Sequence, residues 1–300
     1  MKGKIQPRFS IVIPCYNEDN YISAALESLL LQTTKEKYEV IIVDNNCTDK
    51  TVEKARKYGV RVVSEETVGV CWARQAGAKA ANGEIIISTD ADTTFSPEWL
   101  STIDKKFRQN EKIVAVTGPC RYYDGPWWGK IYPYILFGTV HMHSLITGRP
   151  YYITATNIAF KKSAWDGYDT SLTQGGDELY LLHKFRKVGK VHFLFSNPVH
   201  TSGRRLTRGL TYNFFVSFLY YYLAAYHVNK RFGRTIIGAA PTFRADATTK
   251  RFELLSSSMI TCYVVGLIVA GITITSFRQD IINISYNVSN AAEDMISDVV

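Results

Sequence analysis

Cysteine is scarce in this chain and follows no pattern. Cys15, Cys47, Cys71, Cys120 and Cys262 are odd in number and show no C-x-x-C spacing. That excludes a disulfide framework and a cysteine zinc site, and a reducing compartment is expected. Proline is also sparse, nine in 300 residues, and no Pro/Gly/Ser-rich linker, low-complexity tract or internal repeat interrupts the chain. The first eight residues are short on apolar character and the first apolar run stops at Pro14, so no signal peptide is expected. Acid is missing from one stretch in particular. Residues 201–251 hold nine basic side chains and a single acid, Asp246, so this segment alone accounts for the net charge of +8. Charge that local argues against a generally basic nucleic-acid binder, and no nucleic-acid partner is expected.

What remains is the composition of a folded protein, 46% hydrophobic and 21% charged, long enough for one large domain or two modest ones. Residues 254–277 run for 24 positions without a charge. A bilayer core needs about 20 predominantly apolar residues, so a transmembrane helix is expected there. Lys250 and Arg251 precede it and acids follow it. The positive-inside rule then puts the body of the protein in the cytosol and residues 278–300 outside. Residues 211–226 form a second uncharged run, rich in Tyr and Phe and too short to span easily. An interfacial helix is expected, with a buried or re-entrant segment as the alternatives.

The first half alternates apolar strands with amphipathic stretches. Strands are expected at 9–14, 39–44, 61–64, 85–89 and 113–118, and helices at 20–31, 48–58, 67–80 and 97–109. This alternation predicts an α/β fold, a mostly parallel sheet covered by helices. The second half is less regular. Residues 125–148 are aromatic and nearly uncharged, 151–160 read as a strand, 163–168 as a short helix, 177–188 as a helix and 191–195 as a last strand.

Ligands of parallel sheets bind beyond the carboxyl ends of the strands. Polar groups gather there: Asn17-Glu18, Asp44-Asn45-Asn46 and Asp90-Ala91-Asp92. Two carboxylates one residue apart at a strand end suit a hard divalent cation, Mg2+ or Mn2+, which would neutralise a diphosphate. Arg204 and Arg205 offer guanidinium forks either to phosphate oxygens or to lipid headgroups. Trp127 and Trp128 suit a sugar face, the membrane boundary or the core. His141-x-His143 has no acids near it in sequence to complete a metal site.

The ordered set of strand, Pro14-Cys15-Tyr16-Asn17-Glu18, strand, Asp44-Asn45-Asn46-Cys47-Thr48-Asp49, the helix with Arg74, and Asp90-Ala91-Asp92 resembles the family 2 glycosyltransferases. These are inverting enzymes with the GT-A fold, a Rossmann-like sheet covered by helices. The resemblance spans about residues 9–205. The family usually carries Asp-Asp-Gly-Ser-Thr-Asp where this chain has Asp44 to Asp49, so the outer acids match and the middle differs. The resemblance implies that Glu18 and Asp44 contact the base and ribose of a nucleotide sugar, with Pro14 and Tyr16 shaping that pocket. It implies that Arg74 approaches the nucleotide, that Asp90 holds ribose or metal, and that Asp92 is a metal ligand with His200 as a third. Asn157 falls near the family's sugar and acceptor site. Gly175-Gly176-Asp177-Glu178 matches the family's Glu-Asp pair with Gly176 in place of the Glu, which makes Asp177 the general base. An acceptor hydroxyl needs such a base, and a positioned carboxylate contributes about 10²–10⁴-fold.

The resulting expectation is a GT-A domain over residues 1–205, a basic interfacial region over 206–253, a transmembrane helix over 254–277 and a non-cytosolic tail over 278–300. The expected activity is metal-dependent inverting transfer from a nucleotide-sugar donor to a hydroxyl of a saccharide or lipid-linked acceptor at the membrane. Transfer to a polyprenyl phosphate is one alternative. A catalytically inactive nucleotide-sugar-binding scaffold is another, which Asp90, Asp92 and Asp177 argue against.

Overall fold

The structure is a computed structural model, and it describes residues 6–172 and 177–240. The expected transmembrane helix and tail lie outside the described residues. Among the described residues no helix is long and apolar enough to cross a membrane.

A seven-stranded sheet forms the centre, in the order β3-β2-β1-β4-β8-β6-β9. Its strands are β1 (Phe9–Cys15), β2 (Tyr38–Asp44), β3 (Arg61–Ser64), β4 (Ile85–Ser88), β6 (Ile113–Thr117), β8 (Ile158–Lys161) and β9 (Lys190–Phe193). The neighbours β3, β2, β1 and β4 pair in parallel, as do β6 and β9, while β8 runs antiparallel between β4 and β6. The sheet is therefore mixed rather than purely parallel. Continuous apolar runs such as the buried Ile11, Val12 and Ile13 are what a strand covered on both faces requires. Two cores result. One holds Phe9, Ile13, Leu26, Trp99 and Phe107, and the other holds Val12, Ile41, Ala73, Phe160 and Phe185.

The covering helices are α1 (Ile22–Leu30), α2 (Thr51–Lys57), α3 (Val70–Ala80), α4 (Trp99–Gln109), α5 (Trp127–Thr147) and α6 (Leu179–Val188). The strand expected over 151–160 shortens to β8, because Asn157 N–H turns back to Thr154 O at 3.1 Å and only the residues beyond pair. Over 163–168 the structure has a single 3₁₀ turn, Lys162–Ala164, instead of a helix. A second, three-stranded sheet was not foreseen. It joins β5 (Thr93–Thr94), β10 (Val199–Thr201) and β7 (Cys120–Tyr122) in the order β5-β10-β7. Strands of two or three residues leave too short a pattern to read. After β10 a 3₁₀ turn (Arg204–Arg208) leads to a π-helical segment (Tyr212–Ala224) and then α7 (Ala225–Phe232). The run expected to be an interfacial helix is thus helical.

Candidate active site

The parallel strands β1, β2 and β4 end side by side, and their carboxyl ends carry the acids. Asp44 closes β2 and accepts the Cys47 N–H at 2.9 Å. Asn45 N–H bonds Cys15 O at 2.9 Å and so ties the end of β2 to the end of β1. The Asn45 side chain donates to Glu65 O and Thr67 O and accepts from Gly69 N–H, fixing the loop that launches α3. Asn46 takes a left-handed backbone with φ 68°. The resembling family has Gly at this place, and Asn is among the few other residues that tolerate the conformation. Asp49 is used locally, accepting from Thr51 N–H at 2.9 Å at the start of α2. Pro14 lies within β1, and Tyr16 is partly exposed just beyond it.

Two arginines organise the cluster. Arg74 projects from α3, is only 4% exposed, and pairs with Asp90 at 2.7 Å and with Asp177. Arg204, from the turn after β10, forks onto both oxygens of Glu18 at 2.7 Å and reaches Asp92 at 3.1 Å. Its guanidinium also stacks on Tyr21, 4.6 Å from the ring centroid. The turn is held by Asp124, which accepts from Ser202 Oγ at 2.8 Å and from the Gly203 N–H. Arg205 is exposed, and its charge is felt at Asp90.

The two carboxylates of the Asp90-Ala91-Asp92 turn differ. Burial disfavours ionisation of Asp90, but Arg74, a 2.6 Å hydrogen bond from Thr156 Oγ1 and the charge of Arg205 outweigh it, so its pKa lies below the usual value. Asp92 is pushed up to about 6, first by burial and then by the charge of Asp90, with Arg204 opposing. Thr201 Oγ1 donates to Asp92 at 3.0 Å. Two mutually repelling carboxyls, one with a raised pKa, are a donor set that a divalent cation would relieve. They fit a cation held by one or two carboxylates and completed by substrate phosphate oxygens.

His200 does not join them. On β10 its neighbour Thr201 faces Asp92, and strand alternation turns His200 to the other face. Burial and the charge of Arg121 lower its pKa. Among the described residues no three His, Cys, Asp or Glu side chains gather as a metal site. Asn157 is likewise occupied elsewhere. It is buried, its Oδ1 accepts from Trp99 Nε1 at 3.1 Å, and its Nδ2 donates to Pro119 O and Asn197 O. These bonds tie α4, the start of β8 and the loop before β10 together and satisfy the amide within the protein. The His141–His143 pair is also engaged otherwise, His141 stacking on Phe195 at 4.8 Å and His143 bonding Arg149 O at 2.9 Å.

Asp177 is 4% exposed and committed to the ion pair with Arg74. Glu178 beside it meets softer partners, Tyr152 Oη and Ala155 N–H, each at 3.4 Å. Its pKa is raised, mainly by burial, with the Tyr222 hydroxyl and Arg74 opposing. Thr156, Thr201, Tyr152 and Tyr222 were missed as site residues, since no spacing marks an isolated hydroxyl. A cavity of about 550 Å³ lined by Lys112, Arg149 and Arg186 opens at the amino ends of β6 and β9, away from this cluster.

Known proteins share this arrangement of the chain. The family model described as Glycosyl transferase family 2 matches residues 10–167. An uncharacterized glycosyltransferase of Haemophilus influenzae is 33% identical over 37% of this chain and 38% of its own. A glucosyl-dolichyl phosphate glucuronosyltransferase of Haloferax volcanii is 26% identical over 59% of this chain and 61% of its own. Among solved structures, the mannosyltransferase PcManGT of Pyrobaculum calidifontis, in complex with GDP-Man and Mn2+, is 21% identical with a TM-score of 0.57, covering 66% of this chain and 58% of that one. TarS 1-349 of S. aureus in complex with UDP is 20% identical with a TM-score of 0.54, covering 65% and 60%. The chain spans less than two thirds of the length of each of these relatives. The structural likenesses share the GT-A-like α/β architecture, and the match to more than half of the sequence places the chain in the family 2 glycosyl transferases.

Proposed function

We propose that the chain transfers a sugar from a nucleotide sugar to a hydroxyl group of a saccharide or lipid-linked acceptor, inverting the anomeric centre. One observation carries the reading. Glu18, Asp44, Asp90, Asp92 and the Asp177-Glu178 pair converge with Arg74 and Arg204 at the carboxyl ends of three parallel strands, in a family 2 chain. The Pyrobaculum and S. aureus relatives bind GDP-Man with Mn2+ and UDP respectively, which supports a nucleotide-sugar donor and a divalent metal here. The Haloferax relative, named for glucosyl-dolichyl phosphate, supports a lipid-linked acceptor. Asp92 and Asp90 would hold Mg2+ or Mn2+, and the ion would neutralise charge on the leaving diphosphate.

The chain's own groups divide the remaining work. Glu18 and Asp44, beyond the ends of β1 and β2, would contact the base and ribose. Arg204 can exchange Glu18 for a diphosphate oxygen, and the charge of Arg205, which reaches Asp90, adds to the positive field there. The acceptor oxygen attacks the anomeric carbon as the bond from that carbon to the diphosphate oxygen breaks, and the acceptor proton passes to a carboxylate. Asp177 is the base expected from the family pattern. Its carboxylate is committed to the ion pair with Arg74 and is only 4% exposed, so it is not presented to an acceptor hydroxyl. Among the described residues Glu178 has no guanidinium in direct contact, and we assign it the proton, with Asp177 anchoring Arg74.

Single-turnover transfer with Glu178→Gln and Asp177→Asn tests this. Glu178→Gln should lose about 10²–10⁴-fold in the chemical step while keeping donor affinity. Asp177→Asn should lose stability and donor affinity together. Near-normal transfer by Glu178→Gln with an inert Asp177→Asn that binds donor normally would return the role to Asp177. Near-normal transfer by both would favour a polyprenyl phosphate acceptor, already ionised and in need of no base.

A further inference from the structure

α5 is apolar on both sides. Its inner side, Gly129, Pro133, Phe137 and Val140, is buried against the body of the protein. Gly129 admits Leu206 of the basic turn so closely that an added Cβ would collide with it. The outer side should be polar in an ordinary surface helix. Instead, Trp127, Ile131, Tyr134, Ile135, Met142, Leu145 and Ile146 are all exposed, from 51% at Ile131 to 79% at Ile146. Their spacing of three and four residues is that of one helix face. Gly138 falls in the middle of the stripe, and a Cβ there would meet nothing within 4 Å. The stripe runs the full length of the helix, about 30 Å at 1.5 Å per residue. Such a face is too large and continuous to be incidental.

Charge and aromatic placement identify what covers it. α5 contains no acid, and Lys130 is its one charged residue. Arg149 follows its last turn, and Arg121 stacks on Tyr134 at 4.8 Å. Trp127, Tyr132 and Tyr134 in its first half and Tyr151 beyond its last turn are exposed, and amphipathic rings suit the headgroup level. At its first turns α5 meets the basic turn through Leu206. Beyond that turn Leu210, Phe214 and Phe218 are exposed as well. An apolar stripe flanked by Lys130, Arg121 and Arg149 and by exposed aromatic rings, on a helix without an acid, is the pattern of an in-plane helix on an anionic lipid surface. We propose that the outer face of α5 lies in the headgroup region of an anionic bilayer, flanked by Lys130, Arg121 and Arg149. The face stands independently of the reaction the chain performs.

Photocrosslinking of the full chain tests the proposal. A benzophenone amino acid replaces Met142, and the protein is irradiated with vesicles of mixed phosphatidylglycerol and phosphatidylcholine. Mass spectrometry should find lipid adducts well above those from the same amino acid placed at Lys57 on α2. The yield should fall about fivefold for each basic residue engaged when phosphatidylcholine is used alone. Adding Ile135→Asp with Ile146→Asp should abolish the adducts while the thermal unfolding midpoint holds, since both side chains are exposed. Adducts to residues 254–277 of the same chain, adducts to a second copy, or a yield no greater than at Lys57 would each overturn the proposal.

Discussion

Arg74 is the residue on which the site turns. It is buried, it pairs with Asp90 and Asp177, and it therefore connects the end of β4 to the start of α6. Removing one partner from a buried ion pair leaves uncompensated charge, so Arg74→Leu should lower the unfolding free energy by about 3–5 kcal/mol. Urea denaturation measures it, and a loss under about 1 kcal/mol would mean that solvent already screens the group. Glu39 gives a pH test away from the site. Burial opposes its ionisation, but hydrogen bonds from Ser10 and from the Asn82 backbone and side chain, with the charge of Arg61, hold its pKa below the ordinary 4.5. A lowered folded pKa contributes stability that is full above the unfolded value and lost as pH falls through the folded one. The stability gap between the wild type and Glu39→Gln should therefore hold steady above pH 4.5 and shrink below it. A gap unchanged down to acid unfolding would contradict this. Single residues also mark the limits of reading a sequence. The Asp90-Ala91-Asp92 turn was visible only through its place in the ordered set with Pro14–Glu18 and Asp44–Asp49, because such a pair alone is often a solvated turn. That Asn157 serves the core was not visible, because an amide's partners are set only when α4, β8 and the loop before β10 come together.

At the scale of elements, α3 sets the position of Arg74. Gly77 lets α3 lie directly on β1 and β2, where a Cβ would collide with the side chains of Val12 and Val43. Gly77→Val should cost about 1–3 kcal/mol through overpacking and should also weaken donor binding, because the helix that is displaced carries Arg74. Calorimetric titration of the variant with nucleoside diphosphate checks the second half; unchanged affinity in a destabilised protein would separate packing from the site. Elements of the first half were legible to within two or three residues, since strand and helix periods differ and Gly or Pro marks their ends. α5 was not. Its apolar residues lie on both sides, so the one-faced period that signals a surface helix is absent.

At the scale of the molecule, the mixed sheet and its small partner sheet bring together groups from distant parts of the chain. Glu18 and Arg204 meet at 2.7 Å across 186 residues. The local strand–helix order predicted where the acids would collect, because strand ends in a parallel sheet share one edge. It did not predict the antiparallel β8 or the β5-β10-β7 sheet, whose pairings are non-local. The central claim is that this carboxylate edge receives a nucleotide sugar. Thermal unfolding with a panel of UDP-, GDP- and dTDP-sugars, each with and without Mn2+, tests it most directly. At about 100 times its dissociation constant the right donor should add about 2.7 kcal/mol in the wild type with metal. The same donor should add far less to Asp92→Asn. No stabilisation by any donor, or an equal gain in Asp92→Asn, would contradict the account.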